Sequence, residues 1–317
     1  MISPRLRPSR ASARLRTHAC MLLASCLLLT GCATPVSPKP IFDPASTPPA
    51  NRAALPNAAD VIAAYNRRVA DVSRLRTPIS AVLDIPTLDE QGRVTDQRTK
   101  DQLDGNLQLI QPDRVSLRMD KVQQTVFYMG SGSGAYWFIA MGNQPVAYKG
   151  EMTQATLAKA RSLGLPIHPL DLLDLMAITP LPSNAKLSWW GPYVRVVAAA
   201  RWGTRELLLD ATTLEPAAVW LRDRTGKIAV WAETTNYKDV PVTGKGISPA
   251  RVPGRVRAVV PGATPQGDSF IELFITKPEN PGLRIREKQF QFDAVLNASG
   301  ASEVIDIDAS SAGSSKP

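Results

Sequence analysis

The chain has 317 residues, of which 44% are hydrophobic, 21% charged and 6% aromatic. That composition supports one sizeable core, or two, and excludes a disordered polymer. The formal charge of +9 and the three cysteines suggest a nucleic-acid-binding or metal-binding protein, but both features are concentrated near the N-terminus.

The first 32 residues have the pattern of an export signal. Five arginines and no acidic residue precede the short apolar run Cys20 to Leu29, which is followed by Thr30, Gly31 and Cys32. This order is typical of a secretion signal, and the run is about half of the roughly 20 apolar residues that a membrane span needs. Residues 29–32 resemble the bacterial lipobox, which implies cleavage before Cys32 and a lipid on its thiol. The alternative is an ordinary signal cleaved elsewhere.

Removal of residues 1–31 changes the charge and cysteine arithmetic. The 37 basic residues less the five arginines leave 32 against 28 acidic residues, a net charge of about +4. Nucleic-acid binding therefore loses its main support. Cys20 and Cys26 leave with the signal and Cys32 carries the lipid, so no thiol remains for a disulfide, a nucleophile or a zinc site. We expect no metal and no cofactor.

Residues 32–56 are predicted to form a tether. Seven prolines between Pro35 and Pro56 prevent a helix or a strand ladder. At about 3.1 Å per residue, roughly 24 residues could hold a domain up to about 75 Å from a membrane. Because Ala33 rather than Asp follows Cys32, resemblance to the lipoprotein sorting rule implies the outer membrane, with the domain facing the periplasm.

A folded domain is predicted over residues 57–296, and its first element is a helix. Asn57 can cap the helix and Asp60 suits its first turn. Apolar residues recur every three or four positions at Val61, Tyr65, Val69, Val72 and Leu75. Pro78 is expected to end the helix.

The hydrophobic period then changes to two, which predicts strands. About ten strands are predicted, at 103–109, 115–119, 122–129, 135–141, 186–200, 206–210, 217–223, 227–233, 255–260 and 269–276. Gly130 to Gly134 is interpreted as a flexible hairpin turn, and Gly191-Pro192 as a bend. The fold class is therefore mainly β, an antiparallel sheet with a few helices.

One hairpin is specific enough for a prediction of its register. If Thr225-Gly226 is a two-residue loop, Trp220 lies opposite Trp231 on one face, and Leu221 lies opposite Val230 on the other. Both faces of the hairpin are then apolar.

Two helices are predicted between the strands, at 153–163 and 168–178. Pro169 suits the first turn of the second helix, with Leu170, Leu173 and either Met176 or Ile178 pointing inward. Residues 297–317 are predicted to be a flexible tail with a strand at 304–307.

This order of elements resembles the LolA/LolB-like superfamily of envelope lipoproteins. Similarity to a subgroup of lipoproteins of that fold is carried by Gly130 to Phe138, Tyr148 to Gly150 and Pro169 to Asp174. The resemblance implies a curved, unclosed half-barrel whose apolar concave face is covered by helices. It also implies that the protein binds a hydrophobic ligand, a lipid or a lipoprotein acyl chain, in envelope trafficking. The alternative is a non-catalytic sensor or protein-interaction domain on the same fold, with a protein partner in the envelope.

The candidate ligand-lining residues are large apolar side chains of the predicted strands, and the alternative for each is ordinary core packing. They are Leu107, Leu109, Leu117, Met119, Trp137, Trp220, Trp231 and Phe274. Of the adjacent pair Trp189 and Trp190, at least one should point away from the core if the strand alternates.

Signals for catalysis are weak, and we predict that the protein is not an enzyme. His168 is the only histidine after the signal and sits at a predicted helix start, where Asp171 is nearby. Ser162 and Ser183 are the candidate nucleophiles for an envelope enzyme, which would need polar groups converging near His168. The glycine-rich turn is followed by a strand, so it lacks the helix N-terminus of a phosphate-binding loop.

Overall fold

The computed structural model describes residues 42–44, 46, 48, 54–88, 94–162, 167–242, 246–264 and 267–309. The predicted signal, Cys32 and most of the predicted tether lie outside the described residues. Within the described ranges, no helix is both long enough and apolar enough to cross a membrane.

Helix α1 (Ala58–Ala70) begins where the sequence predicts. The Asn57 side chain accepts hydrogen bonds from the backbone N–H groups of Ala59 at 2.8 Å and Asp60 at 3.4 Å. The helix ends at Ala70, earlier than predicted. Pro78, the expected helix terminator, lies inside strand β1 (Arg74–Leu88). On one side, β1 pairs with residues 270–275, and this pairing starts at Ile79, directly after the proline, so the missing N–H is not needed there.

The described residues form sixteen strands. After β1 they are β2 (Val94–Ile110), β3 (Arg114–Lys121), β4 (Gln124–Gly132), β5 (Ala135–Ala140), β6 (Val146–Glu151), β7 (Lys186–Trp190), β8 (Tyr193–Ala199), β9 (Gly203–Asp210), β10 (Pro216–Asp223), β11 (Ile228–Thr235), β12 (Lys238–Val242), β13 (Gly246–Val252), β14 (Arg255–Thr264), β15 (Gly267–Ile275) and β16 (Glu303–Asp306).

Fourteen of these strands form one sheet in the order β16-β6-β5-β4-β3-β2-β1-β15-β14-β11-β10-β9-β8-β7, and β12 and β13 pair separately. Every neighbouring pair in the large sheet is antiparallel except β16 with β6. The predicted fold class, a mainly β, curved and unclosed sheet with few helices, is confirmed, although the sheet has more strands than the predicted ten. Residues 186–200 form two strands, and Gly191 turns between them with φ of 56°.

Curvature brings distant strands of the sheet together. Strands β6 and β9 are ten strand intervals apart, about 48 Å in a flat sheet. Yet Arg201, just before β9, donates a hydrogen bond from Nη1 to the carbonyl oxygen of Met152, just after β6, at 3.3 Å. The sheet therefore bends back on itself, while its edge strands β16 and β7 stay unpaired with each other.

The core lies on the face of the sheet that meets α1, called here the inner face. Apolar residues of β1 to β4, β8 to β11, β14 and β15 pack there with α1 and with the short helix α3 (Leu172–Leu175). Tyr65 of α1 donates its hydroxyl proton to the carbonyl oxygen of Ala177 at 2.8 Å. Asn66 donates to the carbonyl oxygen of Leu181 at 2.9 Å and accepts from its N–H at 2.8 Å. These bonds fasten α1 to the chain after α3.

The remaining helices are short. Helix α2 (Leu157–Ser162) occupies part of the predicted helix 153–163. A 3₁₀ turn (Pro169–Asp171) followed by α3 occupies part of the predicted helix 168–178. Helix α4 (Phe292–Ser299), which the sequence pattern does not predict, packs on the opposite, outer face, where Phe292 contacts Trp137 with ring centroids 6.0 Å apart.

The register of the β10–β11 hairpin is confirmed, but its predicted loop is wrong. Trp220 pairs with Trp231 and Leu221 with Val230. The loop has three residues rather than two, with Gly226 at φ of 84° and its N–H donating to the Asp223 carbonyl oxygen. A one-residue shift after Leu221 compensates for the extra residue, so a longer loop leaves the tryptophan pairing intact.

The glycine-rich segment 130–134 is a tight hairpin rather than a five-residue loop. Gly130, Ser131 and Gly132 belong to β4, and only Ser133 and Gly134 turn, with φ of 51° and 81°. A Cβ at Gly130 would lie 2.7 Å from the Trp137 ring and from the Val115 carbonyl oxygen. Close packing therefore explains why residue 130 is a glycine.

Candidate functional site

Four of the predicted ligand-lining residues lie together on the inner face. Leu107 pairs with Leu117, and Leu109 and Met119 lie on the same two strands. All four belong to the main apolar cluster and are at most 2% exposed. They pack as core against neighbouring strands and the inner helices, which is the alternative that the sequence left open.

The other four predicted residues lie on the outer face, because alternate residues of a strand point to opposite faces. Trp137 packs against α4. Trp220 and Trp231 belong to an aromatic cluster that includes Phe42. Phe274 pairs with Arg255 and lies below its guanidinium, 6.0 Å from the ring centroid. The eight residues therefore do not line one surface.

The adjacent tryptophans at the end of β7 behave as the alternation predicts. Trp189 packs on the inner cluster and Trp190 on the outer one, and both are half-buried. Phe42 lies 5.1 Å from Tyr193 between ring centroids, and its N–H donates to Glu233 Oε1 at 3.2 Å. A segment of the chain before α1 thus covers the outer aromatic cluster.

A cleft of about 840 Å³ opens where strand-connecting turns meet the segment around α3. Its apolar floor includes Met152, Leu170 and Leu173. Its charged lining residues come from three turns, from strand β9 and from helix α3, and they are Asp113, Asp174, Arg201, Arg205 and Arg224. Pockets of about 300–1,000 Å³ with apolar walls and a few polar groups are typical of small-molecule sites.

Arg205 is the buried member of this set, with a side chain 3% exposed on the inner face of β9. Its Nη1 donates to Asp174 Oδ1 at 2.5 Å, and its Nη2 donates to the Pro180 carbonyl oxygen at 2.9 Å. The arginine therefore ties the chain on both sides of Ala177 to the sheet. One sequence signal could have identified it, since Arg205 alternates with the buried Leu207 and Leu209 at an inward position of β9.

A buried polar cluster lies next to the cleft. Trp202 donates its indole N–H to Asp171 Oδ1 at 2.6 Å, and burial raises the pKa of this carboxyl to about 7. Burial, with a smaller contribution from nearby Arg201, lowers the pKa of His168 to about 3. The His168 ring stacks edge-on with Tyr136 at 4.6 Å between centroids.

The geometry of His168 is that of a structural cap. Its Nδ1 accepts the Leu170 N–H at 3.1 Å, which leaves the neutral ring with its proton on Nε2. Among the described residues, no serine hydroxyl is hydrogen-bonded to this ring. Ser183 is exposed, and the side chain of Ser162 lies outside the described residues. In the same ranges, no cluster of histidine, cysteine and acidic side chains suits a metal ion.

Comparison with known proteins gives structural similarities only. No protein-family model matches the chain, and no curated protein matches it. It is similar to a LolA superfamily protein from Nitrosomonas europaea, with 10% identity over 75% of this chain and 99% of that chain, and a TM-score of 0.47.

A second similar structure is a putative outer membrane lipoprotein-sorting protein domain from Vibrio parahaemolyticus, with 12% identity, coverage of 75% and 99%, and a TM-score of 0.45. A third is a DUF1329 family protein from Desulfovibrio piger, with 10% identity, coverage of 74% and 98%, and a TM-score of 0.46. The half-barrel itself is established by the sheet order and curvature described above.

Proposed function

We propose that this chain is a lipid-anchored envelope protein whose half-barrel binds an acyl chain that enters through the cleft. The observation that supports this proposal is the position of Leu173. Its side chain lines the cleft and also belongs to the main apolar cluster under the inner face, where it is 2% exposed. The cleft is therefore a place where solvent reaches the edge of the core.

The energetics of the inner face suit an acyl chain. Each buried methylene contributes about 0.8 kcal/mol without any directional group, so ten methylenes contribute about 8 kcal/mol. Part of that free energy offsets the cost of displacing the polypeptide segment around α3. The Arg205 ion pair and the hydrogen bond from Tyr65 of α1 hold this segment in place. Residues such as Leu107 and Leu117 become ligand contacts only after this displacement.

The anchor completes the proposal. A lipid on Cys32 would hold the protein on the outer membrane, facing the periplasm, and two acyl chains are enough for stable anchoring. The bound ligand would be a lipid or the acyl chain of another lipoprotein, and the protein would act without catalysis, metal or cofactor. An envelope protein partner would receive or deliver that ligand.

The test is lipid binding by the purified full-length protein. We expect native mass spectrometry from a neutral detergent to show copurifying lipid, and a fluorescent fatty acid to bind in competition with it. Ala155 lines the cleft and Ala158 is exposed outside its lining, so Ala155→Trp should weaken binding at least tenfold and Ala158→Trp should leave it unchanged. Absence of both copurifying lipid and fatty-acid binding would contradict the proposal.

A further inference from the structure

Two arginines of the cleft lack the acidic partners that most described arginines have. Arg201 donates to the Met152 carbonyl oxygen at 3.3 Å and has no carboxylate within 4 Å among the described residues. Arg224 is exposed on the β10–β11 loop, and within the same ranges its side chain makes no hydrogen bond or ion pair. By contrast, ion pairs engage the arginines at 74, 76, 98, 114, 118, 195, 205, 222, 251, 255 and 257.

The acidic residues of the cleft do not cancel these two charges. Asp174 is already paired with the buried Arg205. Asp113 is the other carboxylate of the lining, so two unpaired guanidinium groups face one acidic group. Behind the lining, Asp171 is buried and binds the Trp202 indole. The cleft therefore has an excess of positive charge where its wall is polar.

The polar wall stands above an apolar floor. Met152 and Leu170 are buried residues of the floor, and Leu173 continues into the main core. A guanidinium group binds phosphate or carboxylate through paired N–H donors, in short charge-assisted hydrogen bonds. The two parts of the cleft thus suit the two parts of one amphiphilic molecule.

We propose that the cleft binds an anionic amphiphile, with its phosphate or carboxylate on Arg201 and Arg224 and its apolar chain directed along the floor toward Leu173. This inference rests on the proposed function and adds the class of head group that the site selects. The ligand chemistry is a singly charged anion joined to an alkyl chain, which distinguishes it from a neutral or zwitterionic lipid and from a free anion.

Three probes separate these cases in the full-length protein. They are lysophosphatidylglycerol, lysophosphatidylcholine with the same acyl chain, and glycerol phosphate, each titrated below the micelle concentration with native mass spectrometry as the readout. We expect lysophosphatidylglycerol to bind at least tenfold more tightly than lysophosphatidylcholine, and glycerol phosphate to bind at least a hundredfold more weakly than lysophosphatidylglycerol.

Substitutions test the two arginines directly. The double variant Arg201→Gln/Arg224→Gln should lose at least tenfold in affinity for lysophosphatidylglycerol and less than twofold for lysophosphatidylcholine. Arg286→Gln, an exposed arginine outside the cleft lining, is the matched control and should change neither affinity. Asp113→Asn should strengthen binding of the anionic probe a few-fold, because it removes the opposing carboxylate.

The outcomes distinguish this inference from the proposed function. If both lysolipids bind equally and the double variant behaves as wild type, the head-group site is refuted while acyl binding stands. If glycerol phosphate binds as tightly as lysophosphatidylglycerol, the amphiphile is refuted and the cleft takes free anions. If neither lysolipid binds, the proposed function fails, and this inference fails with it.

Discussion

Two buried groups beside the cleft should make opposite contributions to the pH dependence of stability. Burial raises the pKa of Asp171 from 3.8 to about 7, so the folded state retains a proton that the unfolded state has lost. Folding stability therefore falls as pH rises from about 4 to about 7. Burial lowers the pKa of His168 from 6.5 to about 3, so the folded state excludes a proton that the unfolded state binds. Its contribution falls as pH decreases from about 6.5 to about 3.

Each slope is about 1.4 kcal/mol per pH unit within its window. Between about pH 4 and pH 6.5 the two windows overlap, and the slopes cancel in the wild-type protein. Single substitutions should reveal each of the two pH slopes separately. Asp171→Asn keeps an oxygen acceptor for the Trp202 indole, and His168→Asn keeps an acceptor for the Leu170 N–H. Both variants thus remove a titration while leaving the local hydrogen bond in place.

The assay is denaturant unfolding at several pH values, with each variant expressed as a difference from wild type so that all other titrating groups cancel. From pH 4 to pH 6.5, the stability of Asp171→Asn should rise relative to wild type by about 3 kcal/mol. That of His168→Asn should fall relative to wild type by about 3 kcal/mol over the same range. The double variant should give a nearly flat difference, which is the internal control.

Flat difference curves for both single variants would refute this reasoning. They would mean that neither group is held away from its ordinary charge state by burial, so the polar cluster would have to be open to water. A slope in only one variant would refute the cancellation and retain the pKa shift of the group that was replaced.

Three further outcomes are expected from the packing. Glu206 is 3% exposed and binds Arg195 and Arg222 at 2.8 Å and 2.6 Å, so Glu206→Gln should cost about 3 kcal/mol in urea unfolding; a loss below about 1 kcal/mol would show a solvated pair. Gly130→Ala should lower the melting temperature by the equivalent of about 2 kcal/mol or more, because the added methyl meets the backbone and a buried indole; an unchanged melting temperature would contradict that contact. Leu117→Ala should cost about 2–5 kcal/mol in the same unfolding assay, and a cost below 1 kcal/mol would indicate that the inner face is not packed there.

Local patterns predicted the sheet well where one face is apolar and the other polar. The pairing of Trp220 with Trp231 was instead predicted from an assumed two-residue loop, and it is correct although the loop has three residues, because the shift after Leu221 offsets the extra residue. Strand β1 was not predicted, because a proline such as Pro78 is usually taken to end a helix. Only the pairing of the strands shows that the missing N–H of Pro78 has no hydrogen-bond partner to satisfy. Helix α4 escaped because its buried face is short and meets an outer sheet face that the sequence cannot locate.

The cleft could not be predicted from the sequence for a different reason. Arg201 and Arg224 lie in turns, where a lone charge is ordinarily solvated, and each is remote in sequence from Met152 and Leu173. Only the curvature that brings β6 and β9 together gives these side chains a common surface. Side chains that are brought together by the curvature of the sheet leave no pattern in the local sequence. Arg205, by contrast, could have been recognised from the alternation of residues along β9.

The outer aromatic cluster accounts for two of the predicted ligand-lining residues that the cleft does not contain. Trp220 and Trp231 are absent from the cleft lining because they serve a different purpose, packing with Phe42 on the outer face. Phe42 lies within the range predicted as a tether, yet it is buried and its N–H donates to Glu233 Oε1 at 3.2 Å, so this residue packs on the outer face of the sheet.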